Sequence, residues 1–226
     1  FTTSGYALAD LRSPRLVVLA WIVGGLVAMA GAYSYGLLVK AMPESGGEYL
    51  FLSRAAHPLW GFLAGWVSLI AGFSGAIAFA ATALEQYALP EPDRPDWLPR
   101  GGIGAFSILF AGALHGLRPW AGAVVQNVVV LIKVCLLGAI AALGLAKLLS
   151  AGAEEAMLRG DPLLAGWPLA ATFAGSLVWI SLSYSGFNAG AYVAGEVESA
   201  TEKVPKALVA GAALVTGVYV LLNAVF

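Results

Sequence analysis

Apolar residues in this chain come in long uncharged blocks, separated by short polar ones. Leu16 to Val39 is 24 residues without a charge, Leu59 to Leu84 is 26 and Gly101 to Leu117 is 17. Ala121 to Ala146 is 26 residues interrupted only by Lys133, Trp167 to Gly195 is 29 and Ala207 to Phe226 is 20. A helix needs about 20 apolar residues to cross a bilayer. The 3.6-residue period is weak in every block, as in helices that are apolar on all sides. None shows the ~10-residue alternation of barrel strands. The pattern predicts an all-α integral membrane protein, a single transmembrane domain over residues 1–226. Its full spans lie at about 16–39, 59–84, 101–117, 121–146, 167–195 and 207–226. Residues 1–9 are too short to cross, and form either an exposed start or the second half of a truncated span.

Composition supports this reading. Of 226 residues, 60% are hydrophobic and 11% charged, with a mean hydropathy of +0.83. Soluble domains carry about 25% charged residues. No basic run of the kind that binds nucleic acid is present. The lone cysteine, Cys135, excludes an internal disulfide and a cysteine metal cluster, so neither metal nor cofactor is expected. The chain starts without methionine and ends inside an apolar run, so a piece of a longer protein is expected.

The connecting segments are short. Asp10 to Arg15, Glu85 to Arg100 and Lys147 to Gly166 fall on one side and carry six Lys and Arg residues, against five for the other side with Arg118 included. That balance does not orient the protein. In the segment MPESGGEYLFLSRAAHP, Pro43 and the Gly46–Gly47 pair break the helix. Tyr49 to Ala56 then reads as a short interfacial helix, with Glu48 and Arg54 able to reach water. Gly61, Gly65, Gly72 and Gly75 form a smooth stripe where another helix can approach.

Two features point to chemistry. The stretch Ser183–Asn188, in the sequence SYSGFNAG, places two hydroxyls, a phenol, a carboxamide and a glycine near the middle of an apolar span. Glycine costs about 1 kcal/mol in a helix interior, and Ser and Asn compete for backbone bonds. In hydrocarbon, open backbone is tolerated only where protein or a cavity satisfies it. One reading is a continuous helix whose serines bond back to the preceding turn. The other is a broken helix whose carbonyl end attracts an ammonium and whose N–H end attracts a carboxylate. The second feature is Lys133, with 12 uncharged residues before it in its span and 13 after. That is roughly 18 Å from either end at 1.5 Å per residue, too far for the side chain to reach water. A charge at that depth costs about 3 kcal/mol or more. Lys133 is therefore a tie between helices, or a fixed cation or proton carrier beside a transport site.

The motifs resemble a known family. GAYSYGLLVKAMPESGGEYLFL, Gly31 to Leu52, is similar to the signature of amino acid permeases in the amino acid–polyamine–organocation superfamily. VQNVVVLIK, Val125 to Lys133, and SYSGFNAGAYVAGEVESATEKVPKAL, Ser183 to Leu208, resemble its L-type amino acid transporter branch. Phe1 resembles the last residue of the motif that opens the broken first span. The resemblance implies a leucine-transporter-like fold of two inverted five-helix repeats, of which the first repeat and the start of the second are present here. It makes the Lys40–Pro58 loop cytoplasmic. It implies substrate contacts at Phe1, Leu182, Ser183, Tyr184, Ser185, Gly186, Phe187 and Asn188, and a coupling role for Lys133. Two positions depart from the family pattern: Leu182 stands where a gating aromatic is usual, and Leu37 where a glutamate is.

The expected function is a secondary transporter in the cell membrane. It would move an amino acid, taken as neutral because the span-six candidates carry no charge, by sodium-independent exchange or proton coupling. A polyamine or amine permease on the same fold is the alternative. A membrane-embedded enzyme would need clustered His, Asp or Glu within spans, and a channel a filter or charge ring. The partners expected are a small-molecule substrate and the bilayer; an accessory subunit is left open.

Overall fold

The computed structural model describes residues 2–90, 94–151 and 165–225, and among these it contains helices and turns but no strand. The helices are α1 (Thr2–Leu11), α2 (Pro14–Ala41), α3 (Gly47–Ala55), α4 (Pro58–Val67), α5 (Gly75–Ala88), α6 (Gly102–Leu117), α7 (Pro119–Ala151), α8 (Gly166–Ser183), α9 (Ala189–Tyr192) and α10 (Ala200–Val225). Four stretches are long and apolar enough to cross a membrane: Pro14–Ala41, Pro58–Ala88, Trp120–Lys147 and Ala200–Val225. The chain is a multi-pass membrane protein.

The helices run past the uncharged blocks. α10 begins at Ala200, seven residues before Ala207, and takes in Glu202, Lys203, Pro205 and Lys206. α5 continues to Ala88, and α7 to Ala151. Charge marks the end of the apolar depth, whereas helix ends are set by backbone chemistry. α2 starts with Pro14 at its first position, where a missing N–H costs nothing. It stops at Ala41 because Pro43 disfavours a helical Met42, which turns to φ −137°. At α4 the ring Nδ1 of His57 accepts from the Leu59 N–H at 3.2 Å, ahead of Pro58. Between α4 and α5, Ser68–Ser74 widens to a π-helix, whose bond from the Gly75 N–H reaches the Ile70 carbonyl.

The chain forms two units, residues 1–51 with 137–226, and residues 52–136. In the first, α2 and α10 pack along one another. The buried positions of α2 include Trp21, Gly25, Ala28, Ala32, Gly36 and Val39, recurring every three or four residues on one face. Their small size sets the distance. A Cβ on Gly25 would lie 2.2 Å from Thr216 Cγ2, and one on Gly36 3.0 Å from Pro205 Cβ. The stripe expected in the next span behaves differently. A Cβ on Gly72 would meet nothing beyond its own helix within 4 Å, and one on Gly75 would meet only the Ile70 carbonyl of the preceding π-helical turn, at 3.7 Å. On α2 the close approach is set by complementary volume on the partner helix; Gly61 of the expected stripe is buried.

In the second unit, Glu85 is buried, 4% exposed, in the last turns of α5. Its carboxylate accepts from the N–H groups of Gly101 at 2.8 Å and Gly104 at 3.0 Å, and from Arg94 at 2.5 Å. It thereby satisfies the amides that open α6 and complements the positive end of that helix.

The α2–α10 seam makes a prediction. Gly25→Ala forces Thr216 to move and is expected to cost about 1–3 kcal/mol through overpacking. In detergent thermal unfolding the variant should melt below the parent. Gly25→Ala with Thr216→Ala should recover most of the loss.

Candidate functional site

The site begins where α8 ends. The Tyr184 N–H is shared between the carbonyls of Ile180 at 3.3 Å and Ser181 at 3.2 Å, and the Ser185 N–H reaches Leu182 at 3.3 Å. These are the tightening bonds of a helix about to stop. Gly186 then adopts φ +96°, a conformation an L side chain rarely takes. Regular bonding resumes with Ala189 N–H to Gly186 at 3.0 Å and Ala191 N–H to Asn188 at 2.9 Å. Among the described residues, no backbone carbonyl accepts from the N–H groups of Gly186, Phe187 or Asn188, and no backbone N–H donates to the carbonyls of Tyr184 or Ser185. Donors and acceptors therefore stand open within five residues.

The serines also bond back. Ser185 Oγ donates to the Leu182 carbonyl at 2.7 Å, and Ser181 Oγ to Val178 at 2.7 Å. The two readings left open at this stretch are not exclusive: the hydroxyls satisfy the last carbonyls of α8 and so help the helix to end.

Beside the break lies a pocket of about 320 Å³. Ser183, Tyr184, Ser185, Gly186 and Phe187 form one wall, Ala28 of α2 contributes, and α10 closes the other side from Ala207 to Tyr219. Tyr219 donates its hydroxyl to the Ser183 carbonyl at 3.2 Å, so α10 satisfies the open end of α8. Tyr184 is the buried member of this wall. Its ring lies 5.8 Å from Trp21 and 5.3 Å from Tyr219, and its hydroxyl donates to the Trp21 carbonyl at 2.9 Å. Phe187 stands edge-on to Tyr35 at 5.8 Å. Ser183 Oγ reaches Thr3 Oγ1 of α1 at 3.1 Å.

Next to the pocket, one carboxylate gathers three donors. Glu48 Oε1 accepts from Tyr35 at 2.6 Å and from Asn188 Nδ2 at 2.5 Å, and Oε2 accepts from the Tyr192 hydroxyl. Glu48, expected to reach water, is instead half-buried and occupied. Burial by itself pushes its carboxyl up. The hydrogen bonds from Tyr192, Tyr35, its own backbone and Asn188 outweigh that and hold it below the usual carboxylate range.

Five of the expected site residues, Ser183 to Phe187, meet at the pocket. Leu182 does not line it; its side chain is 63% exposed. Asn188 does not line it either, its amide nitrogen being given to Glu48. Phe1 lies outside the described residues. Lys133 sits on α7 in the other unit with its side chain exposed. Sequence reasoning missed Tyr219, Trp21, Tyr35 and Tyr192. For Tyr35 a signal existed, since it lies inside the signature stretch with Glu48. Among the described residues no three His, Cys, Asp or Glu side chains gather as a metal site requires.

Comparison with known proteins gives a consistent result. The profile of the amino acid permease family matches residues 1–226. The chain is 27% identical over 228 residues to the mouse b(0,+)-type amino acid transporter 1, covering 99% of this chain and 46% of that protein. It is 24% identical to the serine/threonine exchanger SteT of Bacillus subtilis, covering 99% of this chain and 49% of that one. With the human Asc-type amino acid transporter 1 the identity is 28%, covering 93% of this chain and 41% of the other. The chain thus spans about half the length of the curated relatives it matches.

The Glu48 network has a pH signature. Its folded pKa is depressed, so its contribution to stability is complete above the ordinary glutamate pKa of about 4.3 and is lost as pH falls through the folded value. The melting-temperature difference between the parent and Glu48→Gln should stay constant from about pH 8 to 6. It should shrink only below about pH 4.5, measured by thermal unfolding across a buffer series.

Proposed function

The chain belongs to the amino acid permease family, and from that premise we propose that it forms the substrate-binding half of a secondary transporter for neutral amino acids. The observation that carries this reading is the break at Tyr184–Asn188 opening beside a pocket. An α-amino acid presents an ammonium and a carboxylate on one carbon. Free carbonyls at Tyr184 and Ser185 suit the first, and free N–H groups at Gly186–Asn188 suit the second. The lining side chains are all uncharged, being small, aliphatic or aromatic, which supports a neutral side chain over a polyamine. Among the relatives, one is named a serine/threonine exchanger, which agrees with a small neutral substrate and with exchange. Ser183, Tyr184, Ser185, Gly186 and Phe187 form the pocket wall in this reading. The family resemblance adds Phe1, Leu182 and Asn188 to the substrate set, Leu182 and Asn188 from beyond the pocket wall, with Asn188 offering Oδ1 because Nδ2 is engaged.

Lys133 is the coupling residue in this proposal. Its depth in an apolar span supports a fixed positive charge that takes the place of a sodium ion, so that transport runs as exchange or with protons. The location is the cell membrane.

Two outcomes test this in proteoliposomes of the full-length transporter. Uptake of a neutral amino acid should persist when sodium is replaced by choline, and Lys133→Ala should abolish it or slow it severely; a strict sodium requirement refutes the replacement. Gly186→Ala places a side chain at φ +96°, a strain of about 1–2 kcal/mol, and uptake should fall roughly tenfold. Uptake unchanged by Gly186→Ala would remove the break from the site.

A further inference from the structure

We propose that the segment Ser45–Glu48, which leads into α3, is the dock for the second half of the broken helix, and that Glu48 is the positioning residue that holds that half in place. α9 has four residues, followed by a 3₁₀ turn at Ala194–Glu196. Helices that short do not stand alone in water, and one adjoining an open backbone has less to hold it. Its position must come from outside.

The segment meets it along one face. Asn188, Tyr192 and Gly195 follow one another at spacings of four and three, and all three touch Ser45–Glu48. Glu48 takes the Asn188 amide and the Tyr192 hydroxyl, and Ser45 Oγ accepts from the Gly195 N–H at 3.1 Å. Two glycines make the approach possible. Gly47 is at φ +53°, and a Cβ there would lie 2.6 Å from the Tyr192 ring. A Cβ on Gly195 would lie 2.9 Å from the Ser45 nitrogen. On the opposite side Gly190 lies against Leu208 and Val204 of α10. The half-helix is therefore held between a polar dock and an apolar wall. The apolar wall tolerates sliding, whereas the dock has direction, because three donors must converge on two oxygens.

Tyr35 ties the same carboxylate to α2, so the dock is fixed to the long helix that flanks the pocket. Neither Glu48 nor Asn188 lines the pocket. Glu48 thus acts on the substrate site indirectly, through the half-helix it holds and through Tyr35, which stands against Phe187. The consequence for transport rests on the reading above; the docking itself does not.

Hydrogen exchange of the full-length protein separates the two. Asn188→Asp sets a second carboxylate against Glu48 and should speed amide exchange over residues 188–197 about tenfold or more, with α2, α8 and α10 little changed. Glu48→Gln should have the same local effect. The exchanged pair, Glu48→Gln with Asn188→Asp, restores one donor facing one acceptor and should return exchange to within about threefold of the parent. Tyr192→Phe should give a smaller local rise, which guards against a failure of the charge variants to fold. In uptake, Glu48→Gln should lower kcat about tenfold with KM changed less than about threefold. Unchanged exchange over 188–197, acceleration spread evenly over the chain, or no rescue by the exchanged pair would overturn the dock. An intact exchange pattern of this kind, with no amino acid transported by any variant, would overturn the transport reading and leave the dock standing.

Discussion

A backbone opened inside an apolar span leaves polar groups that water does not reach, and the first unit is arranged around satisfying them. The cost of an unpaired amide or carbonyl in such surroundings is about 2–7 kcal/mol, comparable with the whole stability of a small domain. The last carbonyls of α8 therefore acquire hydroxyl partners, and the side chains that follow the break are tied down in turn. Tyr219 gives its hydroxyl to Ser183, Ser185 turns back onto Leu182, and Glu48 draws in Asn188 and Tyr192. What stays open, at Tyr184–Asn188, is the part that faces a cavity. The same constraint that penalises a broken helix selects the place where a polar ligand binds.

The partners are useful only if the helices carrying them are fixed. The α2–α10 seam does this with small residues, Gly25 under Thr216 and Gly36 under Pro205, so that backbones rather than long side chains set the spacing. Close contact brings Trp21 and Tyr219 to 5.0 Å, and both rings then buttress Tyr184 from behind. Aromatic packing, a tyrosine hydroxyl on a carbonyl and a carboxylate dock act on successive residues of one short segment. The segment is tied by contacts at Ser183 and Tyr184 and again from Asn188 onward, with Gly186 at φ +96° between them.

Several features were legible before any coordinates. The weak point at Ser183–Asn188 depends on Gly, Ser and Asn in one place, and that preference is local. Other features were not. Glycines at spacings of three, four and seven in the third span read as a packing stripe, while the tight contacts of Gly25 and Gly36 on α2 had no such spacing signal. Spacing shows that a face is smooth and does not show which face meets a partner. Glu48 read as able to reach water because it is a charge at the start of a short interfacial helix, while its partner Asn188 is 140 positions away. Tyr219 sits in an ordinary apolar run and reveals its role only through a carbonyl 36 residues distant.

The sequence by itself determined the class of protein and its all-helical, apolar character, and it marked Ser183–Asn188 as a weak point. These follow from transfer free energies and backbone preferences that depend on a residue and its near neighbours. Only the tertiary structure decided which groups satisfy the opened backbone, that Asn188 serves Glu48 with its amide nitrogen, and that α10 closes the pocket. Those outcomes depend on the path of the chain in space, because a hydrogen bond needs its partner within about 3 Å and leaves no trace in the residues between.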